Sequence, residues 1–438
     1  APPRFGNMPG RVPSFGRHTA AVPPSEFMPA HNPDAEAEAA SAADFLSMGD
    51  NAPRFMPSAL SNVKFEIIPG RLSFTMHRDE NETLDAINAE PKLFYFSSWM
   101  QDSYQPFNSD FGPVNLSSVV QFCDLMHEKL CDKRLLRRHL VYYCNAHAAE
   151  ATNTAFLLGS YLVLVHKWTP EQAAEPFEAI RPSPFKAFRD ATNEPSTFDL
   201  ELVDCLKGLQ RAVECKFFCY EAFNVEAYDQ LDDIDYADAH IICPKFIAFR
   251  GPCEKKPPSK YLPIFDYLKV STVVRLNEPQ YDKHEFQAAG LQHHDLYFDD
   301  CTSPSDEIVR RFIRLCDAAP NMVAVHCYAG LGRTGTLIAA WIMSKYGWTA
   351  REAIGWVRVV RPGSVIGPQQ HFLELFERSL RAGDDGAKED VACAKLARST
   401  QNAQRIAAQI TKATDRRVQA DNNPASSNSR RGSQESAT

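Results

Sequence analysis

The 438-residue chain has no CxxC pair, no excess of basic residues and no apolar stretch long enough to cross a membrane. Each absence excludes something. The formal net charge is −8, which argues against nucleic acid as a partner, because phosphate backbones require clustered positive surface. The longest apolar run, about Ala155 to Val165, is closed by His166 and Lys167. It reaches about half the length of a membrane-crossing helix, so no membrane partner is expected. The N-terminal residues are Pro, Ala and polar types, without a charged-then-apolar signal pattern. Twelve cysteines are scattered singly through apolar segments, as at Cys123, Cys205, Cys243 and Cys316, and Cys215 and Cys219 are the nearest two. No second pair completes a zinc pattern. Reduced, mostly buried thiols of an intracellular protein are expected, with no metal and no cofactor.

What is present has a clear layout. Residues 1–60 are rich in Pro, Ala, Ser and Gly and are expected to be a disordered extension. Polarity rises again over 383–438, an expected flexible tail with a helix over about residues 388–413. Near its end stands Arg430-Arg431-Gly432-Ser433, which resembles a basophilic kinase site but reads more simply as part of a solvated charged tail. Between the tails the sequence echoes itself. A shift of 180 residues superposes Leu337, Trp348, Thr349, Ala353, Arg361 and Pro362 on Leu157, Trp168, Thr169, Ala173, Arg181 and Pro182. Each copy runs from an apolar helix through Trp-Thr into a second helix. In each, Thr is followed at the third position by Glu352 or Gln172, which is a capping box. The echo points to two related α/β domains, residues 61–210 and 241–382, joined by an acidic linker over 211–240.

In the second copy, Thr272–Leu276 and Met322–His326 are short β-branched runs, hence expected buried strands. Ser303-Pro304 is expected to open an amphipathic helix through Ala318 with Ile308, Phe312 and Leu315 on one side. Leu337–Tyr346 reads as an apolar helix. Strands alternating with helices imply, in each domain, a central, mostly parallel sheet flanked by helices.

The strand ending at His326 runs into Cys327-Tyr328-Ala329-Gly330-Leu331-Gly332-Arg333-Thr334-Gly335 and then a helix. Two glycines in so short a loop let consecutive amides turn inward, and a helix beginning near Arg333 adds its positive end, making a phosphate cradle. Arg333 offers a planar fork matched to phosphate oxygens. Such surroundings favour the thiolate form of Cys327, the nucleophile. Thr334 is placed to donate a hydroxyl hydrogen bond to the sulfur. A buried cysteine at an ordinary strand-to-helix turn is the plainer alternative, but it does not account for strand, cysteine, glycines, arginine and helix in this order.

Transfer of a phosphoryl group also needs a proton for the leaving oxygen. Phe298-Asp299-Asp300-Cys301-Thr302-Ser303-Pro304 is an acidic, turn-rich segment before the helix that leads to the catalytic strand. Asp300 is the candidate general acid and then base, with Asp299 its rival; shaping a turn is the alternative role.

At these residues the chain resembles the cell-division-cycle-fourteen phosphatases, the dual-specificity enzymes of mitotic exit. The likeness rests on His326-Cys327, on Ala329 through Thr336, and on Arg361-Pro362-Gly363-Ser364-Val365-Ile366-Gly367-Pro368-Gln369-Gln370. It extends to the apolar-Asp pattern ending at Asp300 and, more loosely, over roughly residues 62 to 380. The resemblance implies two tandem phosphatase-like domains, the first without catalytic residues. There Tyr142-Tyr143-Cys144 is similar to the strand before the loop, yet Glu150 stands where the arginine would be. It implies phosphoserine-proline substrates with a basic residue soon after, among them cyclin-dependent-kinase substrates. It also implies residence in nucleus and cytoplasm, with nucleolus, spindle and centrosome as candidate places. The family's acidic substrate groove carries over onto Asp190, Asp229 and Asp232. Read without the family, Glu226, Asp229, Asp232, Asp233, Asp235 and Asp238 are a concentration of negative charge that attracts Lys or Arg, or simply a solvated face. Gln369 and Gln370 are placed either to position the hydrolytic water or to cap a loop. Tyr328 departs from the family's lysine and removes a positive charge.

The expected activity is therefore hydrolysis of phosphoserine, phosphothreonine and phosphotyrosine in proteins through a phosphocysteine intermediate. A phosphatase of non-protein esters such as phosphoinositides, and an inactive phosphate-binding scaffold, are the alternatives. Tyr328 and the acidic linker weigh against the first; intact Cys327, Asp300 and Arg333 weigh against the second.

Overall fold

The computed structural model describes residues 60–382. The extension expected over residues 1–60, save Leu60, lies outside the described residues, as do the tail over 383–438, its helix and the kinase-type segment at residues 430–433.

The first half contains β1 (Phe65–Ile68), β2 (Leu72–His77), α1 (Glu80–Ala89), β3 (Phe94–Phe96), α2 (Leu116–Cys131), β4 (Leu140–Asn145), α3 (Ala148–Leu164), α4 (Pro170–Glu178) and α5 (Leu202–Glu214). Its four strands lie in the order β1-β2-β4-β3, antiparallel only at β1–β2. After α6 (Val225–Asp232) come β5 (Ala239–Cys243), β6 (Phe246–Phe249), α7 (Leu262–Tyr267), β7 (Val270–Arg275), α8 (His284–Ala288), β8 (Gln292–Asp295), α9 (Asp306–Ala318), β9 (Met322–His326), α10 (Gly332–Tyr346), α11 (Ala350–Val360) and α12 (Pro368–Ala382). The second sheet runs β5-β6-β9-β7-β8, antiparallel only at β5–β6. Each half is thus a mixed, mainly parallel sheet covered by helices, which is the architecture that buries apolar strands on both faces.

Both halves carry the same local device. Thr169 Oγ1 accepts from Gln172 N–H at 3.2 Å while Gln172 Oε1 accepts from Thr169 N–H at 3.0 Å. Thr349 and Glu352 repeat this at 3.2 and 2.8 Å. Reciprocal capping satisfies two otherwise orphaned amides and sets where α4 and α11 begin.

Two expectations shift in detail. The helix expected to open at Ser303-Pro304 starts at Asp306, where Ser305 caps it through Ile308 N–H. Its buried stripe is Val309, Phe312 and Cys316, with Ile308 and Leu315 only partly covered. The i, i+3, i+7 spacing of that stripe explains why Phe312 lies at its centre. The stretch expected as a linker is also ordered as α5's end and α6. Tyr228 of α6 is buried and its hydroxyl donates to Val360 O at 2.7 Å, so the segment is pinned onto α11.

The two halves share one continuous apolar core. α5 lies against α11 so closely that a Cβ at Gly208 would sit 2.5 Å from Glu352 O and 2.7 Å from Trp356 N. Trp356 Nε1 donates to Ile242 O at 2.9 Å, and Phe217 stacks on Trp348 with ring centroids 5.5 Å apart. Such close, apolar contact fixes the first half rigidly against the second and so fixes the walls around the site below.

Candidate active site

β9 lies between β6 and β7 in the sheet, and Val323, Ala324, Val325 and His326 have no exposed surface. The strand end is therefore immobile where the loop begins. Cys327 through Leu331 connect His326 to Gly332, the first residue of α10.

Every carbonyl of this loop from Cys327 to Gly330 is tied outward by a donor. His326 Nδ1 donates to Cys327 O at 2.9 Å, and Gly251 N–H donates to Tyr328 O at 3.0 Å. Arg361 donates from Nη2 to Ala329 O at 2.9 Å and from Nε to Gly330 O at 2.8 Å. In a planar trans peptide the next N–H points opposite its carbonyl, so the amides of Tyr328, Ala329, Gly330 and Leu331 turn inward. The amides from Tyr328 to Arg333 donate to no protein acceptor among the described residues. With the positive end of α10 they form a cradle for an anion. Gly330 has φ +71°, and a Cβ there would lie 2.1 Å from Phe249 O, so only glycine fits.

Cys327 is 3% exposed at the floor of this ring, and Arg333 is 2% exposed beside it. Arg333 Nη1 donates to Phe298 O at 2.9 Å, and its Nε lies 3.1 Å from Asp300 Oδ1. Burial alone would lower the Arg333 pKa, but the facing Cys327 and then Asp300 outweigh it and hold the guanidinium above its ordinary value. The hydrogen bond expected from Thr334 to the sulfur is not formed. Its Oγ1 is buried without a hydrogen-bond partner.

Of the two candidate acids, Asp300 is the one placed at the cradle. It is partly exposed and its Oδ1, besides facing Arg333, accepts a hydrogen bond from Cys301 N–H at 3.0 Å. Asp299 Oδ1 accepts instead from the exposed Tyr297 hydroxyl at 2.7 Å. Tyr328, 38% exposed, points out of the loop with the Arg250 guanidinium 5.8 Å from its ring centroid. That arginine sets a positive charge beside the loop position at which the family resemblance implies a lysine.

Gln369 is fully buried; its Oε1 accepts from Ile366 N–H at 3.0 Å and its Nε2 donates to Thr302 O at 3.1 Å. It joins the turn before α12 to the segment that carries Asp300. Gln370 is likewise committed, accepting from the buried Arg358 at 2.6 Å.

Of the three carboxylates expected in one groove, Asp229 and Asp232 lie one turn apart on α6, and Asp190 is buried. Asp190 is 4% exposed and spans the two halves, accepting from Gly367 N–H at 2.6 Å and from Thr192 Oγ1 at 3.0 Å. An orphan loop amide and a hydroxyl satisfy it, so it is a buried structural contact in this arrangement. Asp229 lies on α6. Loss of surrounding water raises its pKa, Asp232 adds repulsion, and a hydrogen bond with Ser117 acts in the opposite direction. Asp232 is the one that opens onto the catalytic loop. With Tyr104, Phe107, Asp238, Ala329 and Leu331 it lines a cavity of about 150 Å³ between the halves.

Sequence reasoning missed the structural role of Arg361, which entered only through the Arg-Pro echo and as the first residue of a motif shared with the family. Besides the loop carbonyls it donates to Asp238 Oδ1 at 2.8 Å and to His240 Nδ1 at 2.9 Å. The Arg-Pro pair recurs at Arg181, whose side chain merely reaches carbonyls of its own segment. Pattern alone could not separate the two.

In the first half the corresponding connection collapses. β4 ends at Asn145 and α3 begins at Ala148, leaving only Ala146 and His147 between them. Glu150 places its own carboxylate on the Asn145 N–H at 2.9 Å and on the Asn145 side chain at 2.9 Å. No cradle is built, and a built-in anion stands where phosphate would go.

Family models match both halves: "Dual specificity protein phosphatase, N-terminal half" over residues 66–212 and "Dual specificity phosphatase, catalytic domain" over residues 252–379. The chain is 40% identical over 325 residues to the Mus musculus dual specificity protein phosphatase CDC14A, covering 72% of this chain and 53% of the relative. It is 40% identical over 298 residues to the Homo sapiens CDC14C, covering 66% of each. To the Saccharomyces cerevisiae tyrosine-protein phosphatase CDC14 it is 38% identical over 307 residues, covering 66% of this chain and 56% of the relative. The chain spans about half to two thirds of the length of these curated relatives. Among solved structures, Tk-PTP in its active form is 31% identical, matching 32% of this chain and 97% of its own at a TM-score of 0.29.

Proposed function

The chain belongs to the CDC14 family of dual specificity protein phosphatases, and from that premise we propose that it hydrolyses phosphoserine, phosphothreonine and phosphotyrosine in proteins, in control of the cell cycle. The observation that carries the reading is the ring of inward amides around Cys327, held by four outward-tied carbonyls.

The chemistry proceeds in two displacements. The equatorial phosphate oxygens lie against the loop amides and the Arg333 fork, which hold the negative charge that builds in the transition state. Cys327 Sγ attacks phosphorus, forming the S–P bond as the P–O bond to the substrate oxygen breaks. Asp300, protonated for this step, gives its proton to that leaving oxygen. Water then attacks the phosphocysteine; the Asp300 carboxylate takes its proton, the S–P bond breaks, and thiolate and inorganic phosphate are released.

Phosphoserine-proline sites followed by a basic residue, including cyclin-dependent-kinase substrates, are the proposed targets inside the cell, nucleus included. The cavity lined by Asp232 and Asp238 beside Ala329 and Leu331 supports a basic residue near the phosphate. A phosphopeptide library that varies the residues after phosphoserine tests both claims, with the Cys327→Ser protein as control. Turnover in that control, or no turnover of any phosphopeptide by the parent, removes the proposal.

A further inference from the structure

The turn that carries Asp300 has a strained backbone. Thr302 N–H donates to Asp299 O at 3.3 Å, which closes the turn around Asp300 and Cys301. Cys301 has φ +56°, in the left-handed region that a side chain enters at a cost and that glycine ordinarily supplies in such turns. With that conformation Cys301 N–H lies 3.0 Å from Asp300 Oδ1, the same oxygen that stands 3.1 Å from Arg333 Nε. A residue strained in this way persists only where its surroundings over-determine it.

Those surroundings come from both halves of the chain. Cys301 has no exposed surface and packs with Phe107, Ala191, Ala329, Leu331 and Ile366 in an apolar cluster apart from the main core. Ala329 and Leu331 belong to the catalytic loop and Ile366 to the turn before α12, whereas Phe107 and Ala191 belong to the first half. The two first-half segments are clipped together: Asn108 Nδ2 donates to Ala191 O at 2.9 Å and Ser109 N–H to Thr192 O at 3.2 Å. They also fit closely against the second half. A Cβ at Gly363 would lie 2.6 Å from the Phe107 ring, and Asp190, next to Ala191, accepts from Gly367 N–H at 2.6 Å. Burial and then Asp300 push the Cys301 thiol well above its ordinary pKa. Near pH 7 its sulfur is therefore a neutral apolar filler and not a second nucleophile.

We propose that Cys301 is a positioning residue of the general acid: the seat that Phe107 and Ala191 of the first half close over its side chain holds the strained turn that keeps Asp300 at the cradle. The half without a phosphate loop thus contributes to proton transfer without touching substrate. Packing of the sulfur offsets the backbone strain, and loss of either wall of the seat lets the turn relax and Asp300 withdraw. Glycine at the same position would need no such packing, because it adopts a positive φ without strain.

The proposal rests on reading the Cys327 loop as a phosphatase site, and its test separates the two. Cys301→Ala keeps a Cβ, and so the strain, but loses the sulfur. In the full chain its kcat for a phosphoserine peptide should fall about tenfold, part of the roughly 100-fold that loss of the acid itself would cost. Turnover of an aryl phosphate with an acidic leaving group, and alkylation of Cys327 by iodoacetate, should stay within about twofold of the parent, because the cradle is intact. Cys301→Gly should recover most of the lost phosphoserine turnover. Parent rates in Cys301→Ala, an equal loss on both substrates, or no recovery in Cys301→Gly overturns the proposal. Peptide mapping after iodoacetamide treatment gives a reading that needs no activity and no Cys301 variant. Cys301 should be protected in the parent, against the exposed Cys131 and Cys253 as standards, and should react about tenfold faster in Phe107→Ala. A parent Cys301 that reacts as fast as those standards overturns the proposal, as does unchanged protection in Phe107→Ala. If the parent hydrolyses no phosphopeptide, the phosphatase reading fails, while the protection of Cys301 still decides whether the first half seats the turn.

Discussion

Arg361 Nε donates to the carbonyl oxygen of Gly330 over 2.8 Å, although 31 residues separate the two in the chain. The same guanidinium holds Ala329 O, Asp238 and His240. One buried side chain from the end of α11 therefore shapes half of the phosphate cradle without touching phosphate. Arg361→Lys keeps the charge but loses the fork, leaving buried carbonyls unpaired. Turnover should fall about 100-fold and stability by about 3 kcal/mol, measured by phosphopeptide kinetics and urea unfolding. Wild-type kinetics in this variant would show that the loop holds its shape unaided.

The glycine at the tightest point of the loop is as demanding. Gly330→Ala would require φ near +71° and a Cβ 2.1 Å from Phe249 O. The strain and the displaced loop together are expected to cost about 3 kcal/mol and to abolish turnover. A folded, active Gly330→Ala protein is the outcome that contradicts the cradle geometry.

For proton transfer, Asp300→Asn should slow hydrolysis by roughly 100-fold or more for alkyl phosphates such as phosphoserine, whose leaving oxygen needs a proton. Aryl phosphates with acidic leaving groups should be affected far less. Asp299→Asn should leave both substrates near parent rates, because Asp299 is turned toward Tyr297. The reverse pattern would move the acid to Asp299.

Charge reversal offers a test of the cavity between the halves. Asp232→Lys should reduce the preference for peptides with a basic residue by about tenfold, more at low salt than at high. The Asp190→Asn protein should instead lose stability, because Asp190 is buried on the Gly367 amide. Equal effects of both substitutions on peptide selection would restore a groove that includes Asp190.

Acid sensitivity follows from the buried histidines. Burial lowers the pKa of His326 to about 3 and that of His293 to about 4, from 6.5 in the unfolded chain. Between those values the unfolded state binds protons that the folded state refuses. Folding stability should thus be complete above pH 6.5 and decline on acidification by about 1.4 kcal/mol per pH unit for each histidine, until each folded pKa is reached. Denaturant melts from pH 7 to pH 4 measure the slope. A flat profile would show that these rings are protonated in the folded protein.

Much of this was legible in the chain because it is encoded locally. A β-branched strand, two glycines, Cys327, Arg333 and an apolar helix are consecutive in sequence, and that order marks a strand-to-helix anion loop. The capping boxes at Thr169 and Thr349 are likewise four-residue devices, and both form. Glu150 announced the failure of the first loop, though not that β4 and α3 leave only Ala146 and His147 between them.

What the sequence by itself determined, then, is the chemistry of the loop and the doubled α/β architecture, since both depend on neighbours along the chain. Only the tertiary structure decided which groups hold that loop in shape and which carboxylates face it. Arg361 and Gly251 reach the site across gaps in sequence, through directional hydrogen bonds that no local pattern specifies. Asp190 and Asp232 look alike as letters, yet Asp190 is buried on the Gly367 amide and Asp232 is left partly exposed at the end of α6, because burial is a property of the whole packed chain.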